Sequence, residues 1–246
     1  MISIIKSVTI VLAAVSFSCS EKNPEAVKPR VLVFTKTAGF HHQSIPAGAA
    51  AIFKLAGENS FSADSTSDAT KFTPDNLSQY AAVVFLNTTG DVLNDTQQDA
   101  LKKFIESKKG FVGVHAATDT EYDWPWYGNL VGAYFSKHPQ QQQATLNVID
   151  RNFIATKHLP EKWSRWDEWY NYKWIASDLH VLITIDETSY TGGENGPNHP
   201  MSWYHDYDGG RAFYTELGHT DESYADPLYL KHLLGGIQYA ISGKMK

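Results

Sequence analysis

Short apolar runs alternate with amphipathic stretches along the first half of the chain. The runs are rich in β-branched residues, which is typical of buried strands; they lie at residues 30–35, 81–86 and 111–114, with a weaker run at 61–65. Between them, residues 45–57 and 94–108 carry apolar positions at helical spacing and predict helices. Strands that alternate with helices of this length indicate βαβ units, and hence a parallel sheet.

The pattern loosens after residue 122. Further strands, some of them antiparallel, are predicted at residues 144–149, 181–185, 201–204 and 211–215, and a closing helix at 226–241. The aromatic segment 122–127 contains Pro125 and is predicted to be irregular rather than a core helix. Because no linker interrupts this span, we predict a single α/β domain over residues 30–246, with a mostly parallel central sheet and helices on both faces.

The amino-terminal residues have the pattern of a secretory signal. Lys6 precedes the short apolar run 7–15, and small residues lead to Cys19. We therefore expect a signal peptide over residues 1–18 and lipid attachment at Cys19, with an ordinary signal peptide cut nearby as the alternative. Residues 19–29 are polar and contain proline, as in a flexible tether. These features predict an exported, membrane-anchored lipoprotein, periplasmic or on the outer-membrane surface.

Composition narrows the chemistry. Cys19 is the only cysteine, so residues 30–246 contain neither a disulfide nor a cysteine nucleophile. The net charge of −6 and the lack of basic runs exclude nucleic acid as a partner. An aromatic content of 13% and a charged content of 20% argue against disorder.

Polar clusters follow four of the predicted strands. They lie at residues 35–42, 87–91, 115–119 and 216–219, and three of them contain histidine. In open α/β sheets, ligands bind beyond the carboxyl ends of the strands. We therefore expect a crevice lined by histidines, with His115 in it because this residue directly follows a buried strand. Asn87 and its neighbours could equally form turns and helix caps.

Six of the seven tryptophans lie within residues 124–174. Exposed aromatic faces can stack on sugar rings, and for Trp124, Trp126 and Trp203 this role and a role in the core are both open. For Trp163, Trp166 and Trp174 we predict the core.

Several longer stretches together resemble the ThuA-like family, which is named for trehalose utilisation and is related in fold to class I glutamine amidotransferases. They are residues 33–42, 85–93, 110–119, 126–135 with His138 and Pro139, 167–170, 199–203 and 209–219. The resemblance implies a flavodoxin-like, amidotransferase-like fold and a role in sugar metabolism. In the amidotransferases the turn after the strand matching 111–114 carries the nucleophilic cysteine. Here that turn carries His115, so thiolate chemistry is excluded, and His219 matches their partner histidine.

Our first hypothesis is an enzyme that acts on a glycoside or an oxidised (keto) sugar as a hydrolase, lyase or isomerase. His115 and His219 would be acid and base, since imidazole titrates near working pH, and Asp119 and Glu168 would orient or complement them. The candidate substrate-binding residues are His41, His42, Asn87, Thr89, Trp126, Tyr170, Trp203 and Glu216.

Two alternatives remain open. In the first, His41, His42, His115 and His219 converge on a divalent metal with a carboxylate as a further ligand, although their spacing matches no closed zinc motif. In the second, the chain is a non-catalytic, tethered sugar-binding or scaffold protein of a polysaccharide-utilisation system.

Overall fold

The computed structural model describes residues 1–2 and 28–246. Residues 3–18 of the expected signal peptide, Cys19 and most of the expected tether lie outside the described residues. Within the described part, no helix has the length and apolar character needed to cross a membrane.

Five α-helices and eleven strands make up the described part of the chain. The helices are α1 (Ile45–Glu58), α2 (Pro74–Leu77), α3 (Asp95–Glu106), α4 (Pro125–Val131) and α5 (Pro227–Ser242). The strands are β1 (Arg30–Phe34), β2 (Ser62–Thr66), β3 (Ala82–Leu86), β4 (Gly110–Val114), β5 (Ala133–Lys137), β6 (Gln142–Val148), β7 (Lys162–Asp167), β8 (Asn171–Ile175), β9 (His180–Ile185), β10 (Pro200–Tyr207) and β11 (Gly210–Thr215).

Nine strands form one sheet, in the order β2-β1-β3-β4-β11-β10-β9-β6-β7. The pairings from β2 to β11 are parallel, and those from β11 to β7 are antiparallel. The prediction of a mostly parallel sheet is therefore wrong for the second half, and the sheet is mixed. Parallel neighbours need a crossover, usually helical, and residues 142–215 contain no α-helix that could supply one.

Helices cover both faces of the parallel half, as predicted. On one face the ring of Phe213 packs against Gly236 of α5. On the other face the ring of Phe111 lies 5.9 Å from that of Tyr127 in α4. Successive residues of a strand point to opposite faces, so the apolar residues of β4 and β11 are buried on both. This buried half fixes the strand ends from which the candidate site is built.

Two predictions about the aromatic region are wrong. Pro125 does not break a helix but begins α4. In the first turn of a helix the backbone N–H has no partner within the helix, so a proline, which has no N–H, costs no hydrogen bond there. Trp163 is buried as predicted, but Trp166 and Trp174 are 59% and 39% exposed. Trp166 lies on the outer face of the edge strand β7, where alternate residues point to solvent.

Close contact between β4 and α5 depends on the absence of a side chain at Gly110. A Cβ atom there would collide with the backbone of Ala240, which cannot move aside as a flexible side chain could. We expect Gly110→Ala to lower the free energy of unfolding by about 2–3 kcal/mol. Gly57→Ala is the control, because a Cβ at this exposed helical position meets nothing within 4 Å.

Urea denaturation at constant pH measures both changes. Gly57→Ala should raise the free energy of unfolding by about 0.5–1 kcal/mol, since it stiffens the unfolded chain and favours helix. Equal stability of the two variants would show that α5 can shift away from β4 at little cost.

Candidate functional site

His115 stands at the carboxyl end of β4, at the start of a short 3₁₀ turn, and its side chain is fully buried. Its φ is +47°, in the left-handed region that residues other than glycine seldom adopt. The ring Nδ1 lies 2.7 Å from the carbonyl oxygen of Glu216. A carbonyl only accepts, so Nδ1 carries the hydrogen and the lone pair of Nε2 faces the interior of the site.

His219 reaches the same point from the neighbouring strand. Strand β11 runs parallel to β4 with Thr215 opposite Val114, so the two strands end side by side. The Nδ1 of His219 lies 3.1 Å from Nε2 of His115 and 3.0 Å from Oε2 of Glu168. The prediction that these loops converge is therefore realised in the structure.

Glu168 comes from an unexpected place, the end of the edge strand β7. Three strands separate β7 from β11 in the sheet order, yet Oδ1 of Asp167 accepts hydrogen bonds from the backbone amides of Glu168 and His219 at 3.1 and 3.2 Å. Its Oδ2 accepts from the hydroxyl of Ser223 at 2.9 Å. The antiparallel half of the sheet thus curls over the carboxyl end of the parallel half. The hydrogen bonds that buried Asp167 accepts hold the two halves together at this point.

His42 enters from the loop between β1 and α1. It is only 2% exposed, and its ring centroid lies 4.9 Å from that of His115 and 5.1 Å from that of His219. Its Nδ1 has no hydrogen-bond partner among the described residues. Burial, together with the proximity of His115 and His219, lowers the pKa of His42 to about 2, so the ring is neutral and offers a lone pair.

These four side chains form a compact set of donors that we call the His-Glu cluster: His42, His115, Glu168 and His219. One ligand atom from each lies within 4.8 Å of the others. Burial opposes the ionisation of Glu168, but the proximity of His115 and His219 outweighs it and holds the pKa of this carboxyl well below its usual range. Three imidazole nitrogens and a carboxylate suit Zn²⁺ or a similar divalent transition metal, and they suit Ca²⁺ and Mg²⁺ poorly.

Three members of the His-Glu cluster, His42, Glu168 and His219, line a cavity of about 330 Å³, here called the aromatic cavity, and the fully buried His115 lies beside them. Its walls include Phe135 and Tyr170, whose ring centroids are 4.1 Å apart. His138 lines the cavity and places Nδ1 3.1 Å from the second carboxylate oxygen of Glu168. Such a cavity can hold one small ligand against apolar walls and present it to the cluster.

Asp119 also lines the aromatic cavity, one turn after His115. Burial raises the pKa of Asp119, although a hydrogen bond from the Tyr122 hydroxyl at 2.6 Å opposes the change. A carboxyl group with a raised pKa beside a ligand cavity suits proton transfer.

The structure brings together six of the twelve predicted site residues: His42, Asp119, Glu168, Tyr170 and His219 line this cavity, and His115 belongs to the cluster beside it. His41 lies in a neighbouring cavity, with its ring 3.2 Å from the Thr37 hydroxyl. Glu216 is buried behind His115.

The other four predicted residues do not reach the cavity. Asn87 and Thr89 are buried and hold the loop that carries His42: the Asn87 amide donates to the Ser44 hydroxyl at 3.0 Å, and the Thr89 hydroxyl donates to the Phe40 carbonyl at 2.8 Å. Trp203 is core, with its indole N–H on the Val131 carbonyl. The indole N–H of Trp126 binds Asp208.

Sequence reasoning missed several residues that the structure places at the site. They are Phe40, Phe135, His138, Gln141 and the buried Asp167. The stretches that carry the family resemblance include Phe40, Phe135, His138 and Asp167, so a signal was present for those four. Gln141 had none, because it lies in a polar run of glutamines.

Comparison with known proteins identifies the group to which this architecture belongs. The family model for ThuA, trehalose utilisation, matches residues 30–240. Among curated protein sequences, none matches the chain.

Solved structures agree with that match. A ThuA-like protein from Bacteroides uniformis has a TM-score of 0.75 at 21% identity, over 90% of this chain and 95% of its own. A second, from Parabacteroides merdae, has a TM-score of 0.74 at 21% identity, over 89% and 92%. A β-galactosidase from Bacillus circulans has a TM-score of 0.56 at 11% identity, over 87% of this chain and 31% of its own. At these identities the likeness concerns the fold, and the family match carries the assignment: the chain belongs to the ThuA family of trehalose utilisation.

Proposed function

We propose that this protein is a metal-dependent enzyme of carbohydrate metabolism that acts on a glycoside or an oxidised (keto) sugar. The observation that carries the proposal is the His-Glu cluster, three of whose members line the aromatic cavity. Membership of a family named for trehalose utilisation supports a sugar as the substrate. The aromatic walls support it as well, because they offer flat apolar faces to a ring whose edges carry hydroxyls.

A divalent metal held by His42, His115, Glu168 and His219 would polarise a carbonyl group or lower the pKa of a water molecule. In this assignment His115 and His219 are ligands rather than acid and base. Proton transfer then falls to Asp119, on the cavity wall with its raised pKa. Glu216 holds His115 through its backbone carbonyl, which fixes the tautomer that a ligand needs.

The alternative function is that of a tethered sugar-binding protein. Aromatic walls would serve a binder equally well. A set of three imidazoles, however, is typical of catalytic zinc sites. The ligand chemistry therefore favours the enzyme.

Export and lipid attachment at Cys19 belong to the same proposal. They rest on the pattern of residues 1–29, and the tether would hold the domain at a membrane surface. The proposed kinship with class I glutamine amidotransferases rests on the resemblance and on the place of His115, directly after a buried parallel strand.

Elemental analysis of the full chain, purified without an affinity tag and supplemented with Zn²⁺, tests the metal. We expect about one bound ion per chain, and we expect EDTA to remove both the ion and the turnover of trehalose, cellobiose or their keto derivatives. Return of Zn²⁺ should restore both. A stoichiometry near zero after supplementation would refute the metal centre, and sugar binding with no product from any of these substrates would favour the binding protein.

A further inference from the structure

Strand β7 is the last strand of the nine-stranded sheet, and within the described residues only its edge toward β6 is paired. At that edge the amide of Val148 donates to the carbonyl of Glu161 at 2.9 Å. In an antiparallel pair every second residue exchanges hydrogen bonds with the residue opposite, and the residues between point their backbone groups the other way. The backbone groups of Lys162, Ser164 and Trp166 therefore point away from β6, along an outer edge of the sheet.

This outer edge of β7 is open to pairing. No backbone hydrogen bond from residues 28–246 reaches it, β7 contains no proline, and its register with β6 runs without a bulge. Soluble proteins commonly protect such edges with prolines, bulges or charged side chains, because a free edge pairs readily with another strand. Lys162 is the one charged side chain on the outer face of β7, so the edge suits a strand that can accommodate this lysine.

Trp166 is the second unusual feature of this edge. Its side chain is 59% exposed, on a face that is otherwise polar. The neighbouring residues on that face include Gln143, which lies opposite Trp166 on β6, and Ser164, whose hydroxyl accepts from the Gln143 amide at 2.8 Å. A tryptophan in this position buries little of its surface within one chain. Large exposed aromatic side chains are typical of contact surfaces between proteins.

The edge is complementary to itself in one register. Two copies of β7 that pair antiparallel are related by a two-fold axis. Outward-pointing residues must face each other for hydrogen bonds to form, so the axis passes beside a residue and not between two residues. An axis at Ser164 uses all three outward-pointing residues: Ser164 faces its own counterpart, and Lys162 faces Trp166 of the second copy.

This register also accommodates the lysine. Residues directly opposite on one face of an antiparallel pair have Cβ atoms about 4.5–5.5 Å apart, so their side chains interact. The ammonium group of Lys162 then lies over the indole of Trp166 from the second copy, which is a favourable cation–π contact, and symmetry supplies it twice. The chain contains such a contact elsewhere, where Nζ of Lys173 lies 3.6 Å from the ring centroid of Tyr122.

We propose that β7 is the surface through which the protein associates with a second copy of itself. The two β7 strands pair antiparallel about Ser164, join the two nine-stranded sheets into one, and place Lys162 of each copy against Trp166 of the other. The inference uses only the outer edge and outer face of β7. It is therefore independent of the proposed function and of any metal in the His-Glu cluster.

Sedimentation velocity of the full chain at about 1–100 µM tests the proposal, since a small interface of this kind gives micromolar affinity. We expect a monomer–dimer equilibrium. Trp166→Lys places two lysines opposite each other and should weaken the association at least about tenfold. Adding Lys162→Glu to that variant places glutamate opposite lysine and should restore the affinity to within about threefold of the original.

Two further variants complete the test. Trp174→Lys is the matched control, because it makes the same replacement at another exposed tryptophan, on β8, and should leave the association unchanged. Ser164→Pro removes the outward-pointing amide at the two-fold axis and keeps the pairing with β6, so it should weaken the association. Lys162 and Trp166 are exposed, and thermal melting should show that their variants stay folded.

The results that would overturn the proposal are distinct. A chain that stays monomeric at the highest concentration has no such surface. An association that Trp166→Lys and Ser164→Pro leave intact uses a different surface. If Trp166→Lys weakens the association and the added Lys162→Glu does not restore it, the register about Ser164 is wrong.

Discussion

Replacement of His42 by alanine is expected to lower the affinity of the chain for Zn²⁺ by at least about a hundredfold, more than the loss typical of residues that only orient a metal ligand. The neighbouring substitution His41→Ala should leave it within about twofold. The two residues are adjacent in the chain, but only His42 is buried beside His115 and His219. His41 is exposed and hydrogen-bonded to Thr37. The pair therefore separates a metal ligand from a nearby histidine of the same loop.

Competition with a chromophoric chelator measures both affinities, and thermal melting in EDTA verifies that each variant is folded. In the metal-free protein, Nδ1 of His42 is buried without a hydrogen-bond partner among the described residues, which is unfavourable. Replacing His42 should therefore lower the stability of the metal-free protein only slightly. Wild-type Zn²⁺ affinity in the His42 variant would show that His42 is not a metal ligand. Loss of affinity in both would indicate a change in the whole loop.

Asp167→Asn should lower Zn²⁺ affinity by about tenfold to a hundredfold, the range typical of residues that orient metal ligands. Asp167 touches no ligand atom; its Oδ1 accepts the backbone amides of Glu168 and His219, and its Oδ2 accepts Gly218 and Ser223. The NH₂ group of asparagine would face N–H or O–H donors where a carboxylate oxygen accepts hydrogen bonds. One of the two loops, that of Glu168 or that of His219, would therefore lose its attachment. We therefore regard Asp167 as a positioning residue.

A comparison with Gly110→Ala distinguishes positioning from general destabilisation. Gly110 begins β4, at the end of the strand opposite His115, so this variant should lose stability and keep its Zn²⁺ affinity. Ser223→Ala removes one hydrogen bond to Asp167 and should give a smaller loss of Zn²⁺ affinity. This milder variant should stay folded, so it still tests the role of Asp167 if Asp167→Asn is too unstable to purify. If affinity followed stability alone across the three variants, the positioning role would be wrong.

The sequence predicted the parallel half of the fold and much of the site within it. Apolar runs specify β1, β3 and β4 almost to the residue, since strands buried on both faces have no other pattern. Parallel strands end at one edge of a sheet, so the pattern placed the polar clusters of His115 and His219 in one crevice. The order of the strands, which makes β4 and β11 neighbours, did not follow from it. The roles of the two histidines could not be separated, because acid–base catalysis and metal binding use the same side chains.

The antiparallel half escaped prediction for a different reason. Glu168 was a candidate only through the family resemblance, and nothing local in β7 shows that the sheet curls until Asp167 meets the loop after β11. Likewise, the choice between His41 and His42 depends on which ring the β1–α1 loop turns inward. Long-range closure and loop geometry are properties of the packed molecule, and local patterns of hydrophobicity carry little information about either.

The curl of the sheet also governs when the His-Glu cluster can assemble during folding. Its donors lie at positions 42, 115, 168 and 219, so each loop closed between successive donors spans some fifty residues or more. Contacts between residues so far apart in the chain form late and slowly, because the chain between them loses conformational entropy before the contact contributes any stabilisation. A metal ion would consequently not act as a folding nucleus for this domain. It would bind only the folded protein, so metal binding would be the last step of folding.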